Sequence, residues 1–264
     1  MELWQSIPFA CILLPLGSAA MTSVLKGRWA RYWTFTVLTI VTALSAVFVW
    51  LMAGFEGSYT YMMGHYPAPW GNEIRAGLLE AITALFFSMI MLLSLMGGLK
   101  KIDEHLLADK QSLYYVMLLL LTAALMAQVY TNDLFTAYVF LEIMTIAACS
   151  LITARTKGRT LVAATRYMIM NLLGSGLFLL GITLLYDLTG HLLMSNIKEA
   201  VAALAQSGQY QMPLTVVIAI MSIGLGIKSA LFPFHTWVPD AYGYSTPTSA
   251  AVLSSLVSKG YIFL

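Results

Sequence analysis

Eight stretches of about twenty predominantly apolar residues, near 7–25, 33–52, 78–99, 112–131, 134–154, 161–186, 211–238 and 247–264, fill most of this sequence. About twenty such residues are what a helix needs to cross the hydrocarbon core of a bilayer, and a segment surrounded by lipid must satisfy its backbone polar groups internally. The chain is therefore expected to be an all-α membrane protein of about eight transmembrane helices. Composition agrees: 59% of the 264 residues are hydrophobic and 10% charged, against roughly 25% charged residues in soluble domains. The net charge of +2 is small and its basic residues are dispersed between apolar runs, which excludes a nucleic-acid footprint. Cys11 and Cys149 each sit inside an apolar run, with neither CxxC nor Cys/His spacing, so they indicate neither a disulfide framework nor a metal site. The N-terminus has no basic region, and Ile7 to Leu25 offers no small-residue cleavage site before Lys26, so the first run is expected to be a retained helix.

The connections are short except for two. Segment 53–77 holds Gly57, Gly64, Pro67, Pro69 and Gly71 with aromatics between them, and in segment 187–210 the residues Ile197, Val201 and Leu204 suit a short interfacial helix. Lys26, Arg28 and Arg31 follow the first run, Lys100, Lys101 and Lys110 the third, and Arg155, Lys157 and Arg159 the fifth, whereas the opposite loops hold Arg75 and Lys198. The positive-inside rule then places the odd-numbered loops in the cytoplasm and the N-terminus outside. Arg166, early in the sixth run, fits snorkelling to the same side.

Against this background the ionisable residues at membrane depth stand out, because each is expensive there and is a functional-site hypothesis by default. Glu142 follows Asp133, which reads as the N-cap of the fifth helix, by nine residues and precedes Arg155 by thirteen, near the bilayer centre at 1.5 Å per residue. Lys228 lies about fifteen residues from the start of the seventh helix near Pro213, too deep to snorkel, and Pro233 five residues later marks a helix break. Glu142 is its natural partner, since a buried Glu–Lys pair keeps both charged while close and couples their protonation to nearby charge. Counted along the helices, Lys228 comes out roughly 9 Å deeper than Glu142. Lys259, twelve residues after Pro247, is expected to be a third buried charge and suits a proton relay. His235, just past the break, either passes protons between water and the interior or hydrogen-bonds the carbonyls that the break frees. Glu80, Asp187 and Asp240 read as interfacial, loop or capping acids. Asn171, Gly174, Ser175, Gly176 and Gly181 give the sixth helix a small face of the kind that serves close helix packing.

Several motifs, in order, resemble the antiporter-like membrane subunits shared by complex I, energy-converting membrane-bound hydrogenases and Mrp-type sodium/proton antiporters. Lys228 to Tyr242 (KSALFPFHTWVPDAY) is similar to the family's lysine-bearing broken seventh helix. Asp133 to Glu142 (DLFTAYVFLE) resembles its fifth-helix motif, and Thr246 to Lys259 (TPTSAAVLSSLVSK) the segment leading to its relay lysine. Weaker matches are Gly64 to Gly71 (GHYPAPWG) and Arg166 to Ile182, where Arg166 replaces the more usual lysine. The resemblance implies one proton-conducting half-channel, with Glu142 and Lys228 as the switching pair and Lys259 as the link onward. It also implies two inverted five-helix repeats, the first spanning helices four to eight. Residues 1–110 would then form an N-terminal unit and 111–264 the first repeat, with the second repeat absent from this chain and helix eight truncated.

The function expected from these readings is an ion-translocating subunit, for protons and/or sodium, of a multisubunit prokaryotic inner-membrane complex, with GHYPAPWG tilting toward the antiporter and hydrogenase branch rather than complex I. No cofactor or metal ligand set is visible, so any oxidoreductase activity would belong to partner membrane subunits. Two other readings are a structural subunit whose buried charges hold helices five, seven and eight together, and a membrane enzyme with a quinone or lipid substrate near His235.

Overall fold

The structure is a computed structural model that describes residues 3–55, 57–62, 66, 71–155, 158–208 and 210–264. After a 3-10 turn at Leu3–Ser6, the long helices are α1 (Ile7–Val24), α2 (Arg28–Ala53), α3 (Leu78–His105), α4 (Ala108–Tyr130), α5 (Leu134–Thr153), α6 (Thr160–Thr189) and α8 (Gln211–Lys228). Among the described residues these seven are the helices long and apolar enough to cross a membrane. The chain is an integral membrane protein. Between α6 and α8 lies α7 (Met194–Ser207), the short helix expected there, with no buried residue. After α8 come a 3-10 turn at His235–Trp237, α9 (Val238–Tyr244), α10 (Pro247–Val252) and α11 (Ser258–Phe263).

The eighth expected span is thus a helical run that changes pitch: a π turn at Leu253–Val257 separates α10 from α11. The Ser258 amide and hydroxyl both donate to the Leu253 carbonyl five residues back, the wider spacing that defines a π bulge. The expected third run also lengthens, to His105, so that Lys100 and Lys101 lie on the last turns of α3 and not in a loop. Segment 53–77 contains a hairpin as well, β1 (Tyr59–Met62) antiparallel to β2 (Glu73–Ala76), with Tyr59 opposite Ala76 and Met62 opposite Glu73. Gly64, Pro67 and Pro69, and with them most of GHYPAPWG, lie outside the described residues, as does Lys157.

Local chemistry explains the helix ends that matter. Asp133 Oδ1 accepts the Thr136 amide at 2.6 Å and caps α5, and Thr246 caps α10 through the Ser249 amide at 3.1 Å, with Pro247 in the first turn. At that same end of α5, Asn132 ties three segments together: its amide donates to the Glu73 carbonyl at 2.9 Å, its side chain to Glu73 Oε1 at 2.7 Å, and its carbonyl accepts the Met194 amide at 2.8 Å. The hairpin is thereby clamped onto the α4–α5 turn and the start of α7.

The core sits around α4. Of its membrane-crossing stretch 78% is buried, against 44% or less for each of the other six, so α4 is surrounded by protein while each of the rest keeps an open face. The α6–α8 crossing is close because glycines face each other there: a Cβ added at Gly174 would lie 2.9 Å from the Gly224 carbonyl oxygen, and one added at Gly224 would lie 2.8 Å from the Gly174 carbonyl oxygen. That contact leaves the Lys228 side chain, on the last turn of α8, within reach of Glu142 and Thr145 on α5.

Candidate functional site

The last residue of α8 is Lys228, and what ends the helix there is Ala230. Ala230 adopts φ +60, a left-handed conformation that L-residues rarely take. Its amide donates to the Ile227 carbonyl at 3.3 Å and the Leu231 amide to the Gly226 carbonyl at 2.9 Å, the paired bonds of a Schellman cap. Pro233, the residue singled out in sequence, follows a cis Phe232–Pro233 bond, is exposed, and lies beyond this cap. The Ser229 hydroxyl donates to the Leu225 carbonyl at 2.7 Å and Trp237 Nε1 to the Ile227 carbonyl at 3.3 Å. The Leu225 carbonyl keeps its helical bond from the Ser229 amide, and those at 226 and 227 are met by the cap and Trp237, so of the two readings of His235 the one in which it bonds the freed carbonyls is not the one the structure holds. His235 is exposed and stacks on Phe232 with ring centroids 5.8 Å apart.

Lys228 Nζ lies 3.2 Å from Glu142 Oε1 and 3.0 Å from Thr145 Oγ1. The lysine side chain has no exposed surface, whereas the Glu142 side chain keeps 26%. The same oxygen, Glu142 Oε1, also accepts a hydrogen bond from Ser175 on α6. The Tyr261 ring of α11 lies under the ammonium, its centroid 5.3 Å from Nζ, within cation–π range. The Tyr261 hydroxyl is 3.2 Å from Thr145 Oγ1. Four helices, α5, α6, α8 and α11, thus converge on one buried charge. The depth offset counted along the helices is taken up by their lengths. α6 runs for 30 residues and α5 for 20, a difference of about 15 Å, and α8 begins against the far end of α6, where Asp187, Leu188, Met212 and Pro213 line one cavity.

Other expectations come out differently. Lys259 is exposed on the outer face of α11, not buried with the pair. Its neighbours take the inward side: the Gly260 carbonyl accepts from Gln128 Nε2 of α4 at 2.8 Å, and Tyr261 reaches Thr145. Consecutive residues project about 100° apart on a helix, so Gly260 and Tyr261 inward turn Lys259 outward. Ser175, assigned to packing with the rest of the small face, also donates to Glu142, and Gly176 meets no neighbouring atom within 4 Å of a built Cβ. Asp240 is in the first turn of α9 and forms an ion pair with Arg166. Thr145, Ser175, Tyr261 and Trp237 were invisible as site residues in sequence; the i, i+3 spacing of Glu142 and Thr145 was the available signal, since it puts both on one helix face. Cys11 is buried and Cys149 partly so, both as free thiols. Among the described residues no three His, Cys, Asp or Glu side chains gather as a metal site.

Residues 131–264, which carry Glu142, Thr145, Ser175, Lys228 and Tyr261, match the family model described as NADH:quinone oxidoreductase/Mrp antiporter, TM. The NADH-quinone oxidoreductase subunit N of Desulforudis audaxviator (strain MP104C) is 35% identical over 76% of this chain and 39% of its own length. A Na(+)/H(+) antiporter subunit of Bacillus subtilis (strain 168) is 27% identical over 94% of this chain and 49% of its own. The chain spans half or less of the length of these curated relatives. Among solved structures, a chain of the membrane-bound sulfane sulfur reductase, an archaeal respiratory membrane complex, superposes with a TM-score of 0.88 over 98% of this chain and 52% of its own at 24% identity. A chain of the Mrp complex from Dietzia sp. DQ12-45-1b gives 0.83 over 100% and 48% at 23% identity. At these identities the likeness is one of fold.

Proposed function

The chain belongs to the NADH:quinone oxidoreductase/Mrp antiporter transmembrane family, and from that premise we propose that it is an ion-translocating subunit of a multisubunit membrane complex, with Glu142 and Lys228 as its switching pair. The observation that carries this reading is the 3.2 Å contact between a fully buried lysine at a helix break and a carboxylate that keeps 26% exposure. A charge arriving near Glu142, or a proton taken up by its carboxylate, removes the attraction that holds Lys228, so the two protonation equilibria are coupled. Ions moved would be protons, sodium or both. His235 marks the water-facing end of the path beside the break, and Lys259, on the open face of α11, marks where a proton would leave toward another half-channel. The partners are other membrane subunits of an antiporter, hydrogenase-type or complex I-type assembly in a prokaryotic inner membrane, with the ends of α1, α3 and α5 cytoplasmic and the N-terminus outside. Any redox chemistry resides in those partners.

The test is transport in membrane vesicles, scored together with the amount of assembled complex. Glu142→Gln and Lys228→Ala are each expected to abolish proton or sodium movement while the complex still assembles. Undiminished transport in both variants would overturn the proposal, and loss of assembly in step with transport would assign the pair to holding α5 and α8 together.

A further inference from the structure

An ammonium has three N–H donors, and the site around Lys228 has three places to put them. Glu142 Oε1 takes one at 3.2 Å, Thr145 Oγ1 one at 3.0 Å, and the Tyr261 ring face lies 5.3 Å away for the third. The Thr145 hydroxyl gives its own proton to the Leu141 carbonyl at 2.8 Å, which leaves its lone pairs to accept from Lys228 and from the Tyr261 hydroxyl at 3.2 Å. Thr145 and Tyr261 are both nearly solvent-free, at 2% and 1% exposure. Glu142, by contrast, has partners besides Lys228: Ser175 on α6, which donates to the same Oε1, and an exposed side.

The site is therefore asymmetric, and separating the pair strands neither charge. Breaking a buried ion pair is costly mainly when it leaves one member without a partner. Here each member keeps a set of its own. We infer that Thr145 and Tyr261 are positioning residues that hold the Lys228 ammonium after Glu142 has let go, so that the pair opens and recloses at the same place. This rests on the switching role proposed for Glu142 and Lys228. Thr145 supplies a hydroxyl acceptor and Tyr261 a ring face, and neither touches the transported ion. Tyr261 also ties the state of the pair to the helix that carries Lys259.

The experiment measures transport per assembled complex in vesicles from cells making the whole complex. Thr145→Ser keeps the hydroxyl and Tyr261→Phe keeps the ring, and both are expected to stay within about twofold of the unaltered protein. Thr145→Val and Tyr261→Leu remove the acceptor and the ring face, and each is expected to slow transport about tenfold, the scale of one desolvated cation contact. A structural role would instead show as lost assembly without this split between conservative and non-conservative replacements. Should Tyr261→Leu fail to assemble, Thr145→Val, which keeps the side chain's shape, decides. Full transport in Thr145→Val, or an equal loss in Thr145→Ser and Thr145→Val, overturns the inference. Lys228→Ala run alongside separates the two levels: if it retains transport, the switching role itself falls, and if it loses transport while Thr145→Val does not, only the holding role falls.

Discussion

The ion pairs Lys228–Glu142 and Arg166–Asp240 each link two helices of this chain, and they differ in nearly everything except their charges. Lys228–Glu142 joins α8 to α5 with the lysine fully enclosed, and it is met by Thr145, Ser175 and Tyr261 from three helices. Arg166–Asp240 joins α6 to α9 with the arginine side chain 62% exposed. In the first, enclosure of the lysine leaves the carboxylate as its nearest opposite charge, and any change in one is felt by the other at short range. In the second, water and salt supply most of what the partner supplies. The difference teaches that an ion pair becomes a candidate switch through what surrounds it.

That comparison can be broken most directly by removing one member of the buried pair. Glu142→Leu alone is expected to destabilise the complex by about 3 kcal/mol, because it leaves a buried charge without its carboxylate, whereas adding Lys228→Met should return most of that loss. Thermal unfolding of the purified complex reads both, and a double variant no more stable than Glu142→Leu would contradict the account. Next in size is the glycine crossing that positions Lys228. Gly224→Ala places a methyl 2.8 Å from the Gly174 carbonyl oxygen and from the Phe178 amide nitrogen, both backbone atoms that cannot swing aside. The expected loss is about 1–3 kcal/mol, accompanied by slower transport as Lys228 is pushed from Glu142. Smallest is Arg166→Ala, expected to cost under about 1 kcal/mol, with the difference from the unaltered protein shrinking at high salt. A loss there matching that of Glu142→Leu would erase the distinction between the two pairs.

Much of the architecture is legible in the sequence. The seven spans, the short helix α7, the cap at Asp133 and the interruption after Lys228 all follow from local sequence, because hydropathy, capping chemistry and length act along one chain segment at a time. The hairpin in segment 53–77 is not legible there, since its strands are four residues each and their clamp is Asn132, some sixty residues away. Nor is the residue that ends α8. Alanine is the strongest helix former, and only the surrounding structure holds Ala230 at φ +60.

The sequence by itself determined that this chain lives in lipid and that Glu142 and Lys228 lie too deep for water to satisfy them easily, because depth is a count of residues along a helix. Only the tertiary structure decided who meets whom. It brought Glu142 to Lys228, enlisted Ser175, Thr145 and Tyr261, and turned Lys259 to the outer face. Those outcomes depend on how helices cross and rotate against one another, and here that is governed by the glycines at 174 and 224 and by the inward packing of Gly260 and Tyr261. No hydropathy pattern encodes that geometry, since a helix with lipid on one side and protein on the other can be apolar on both.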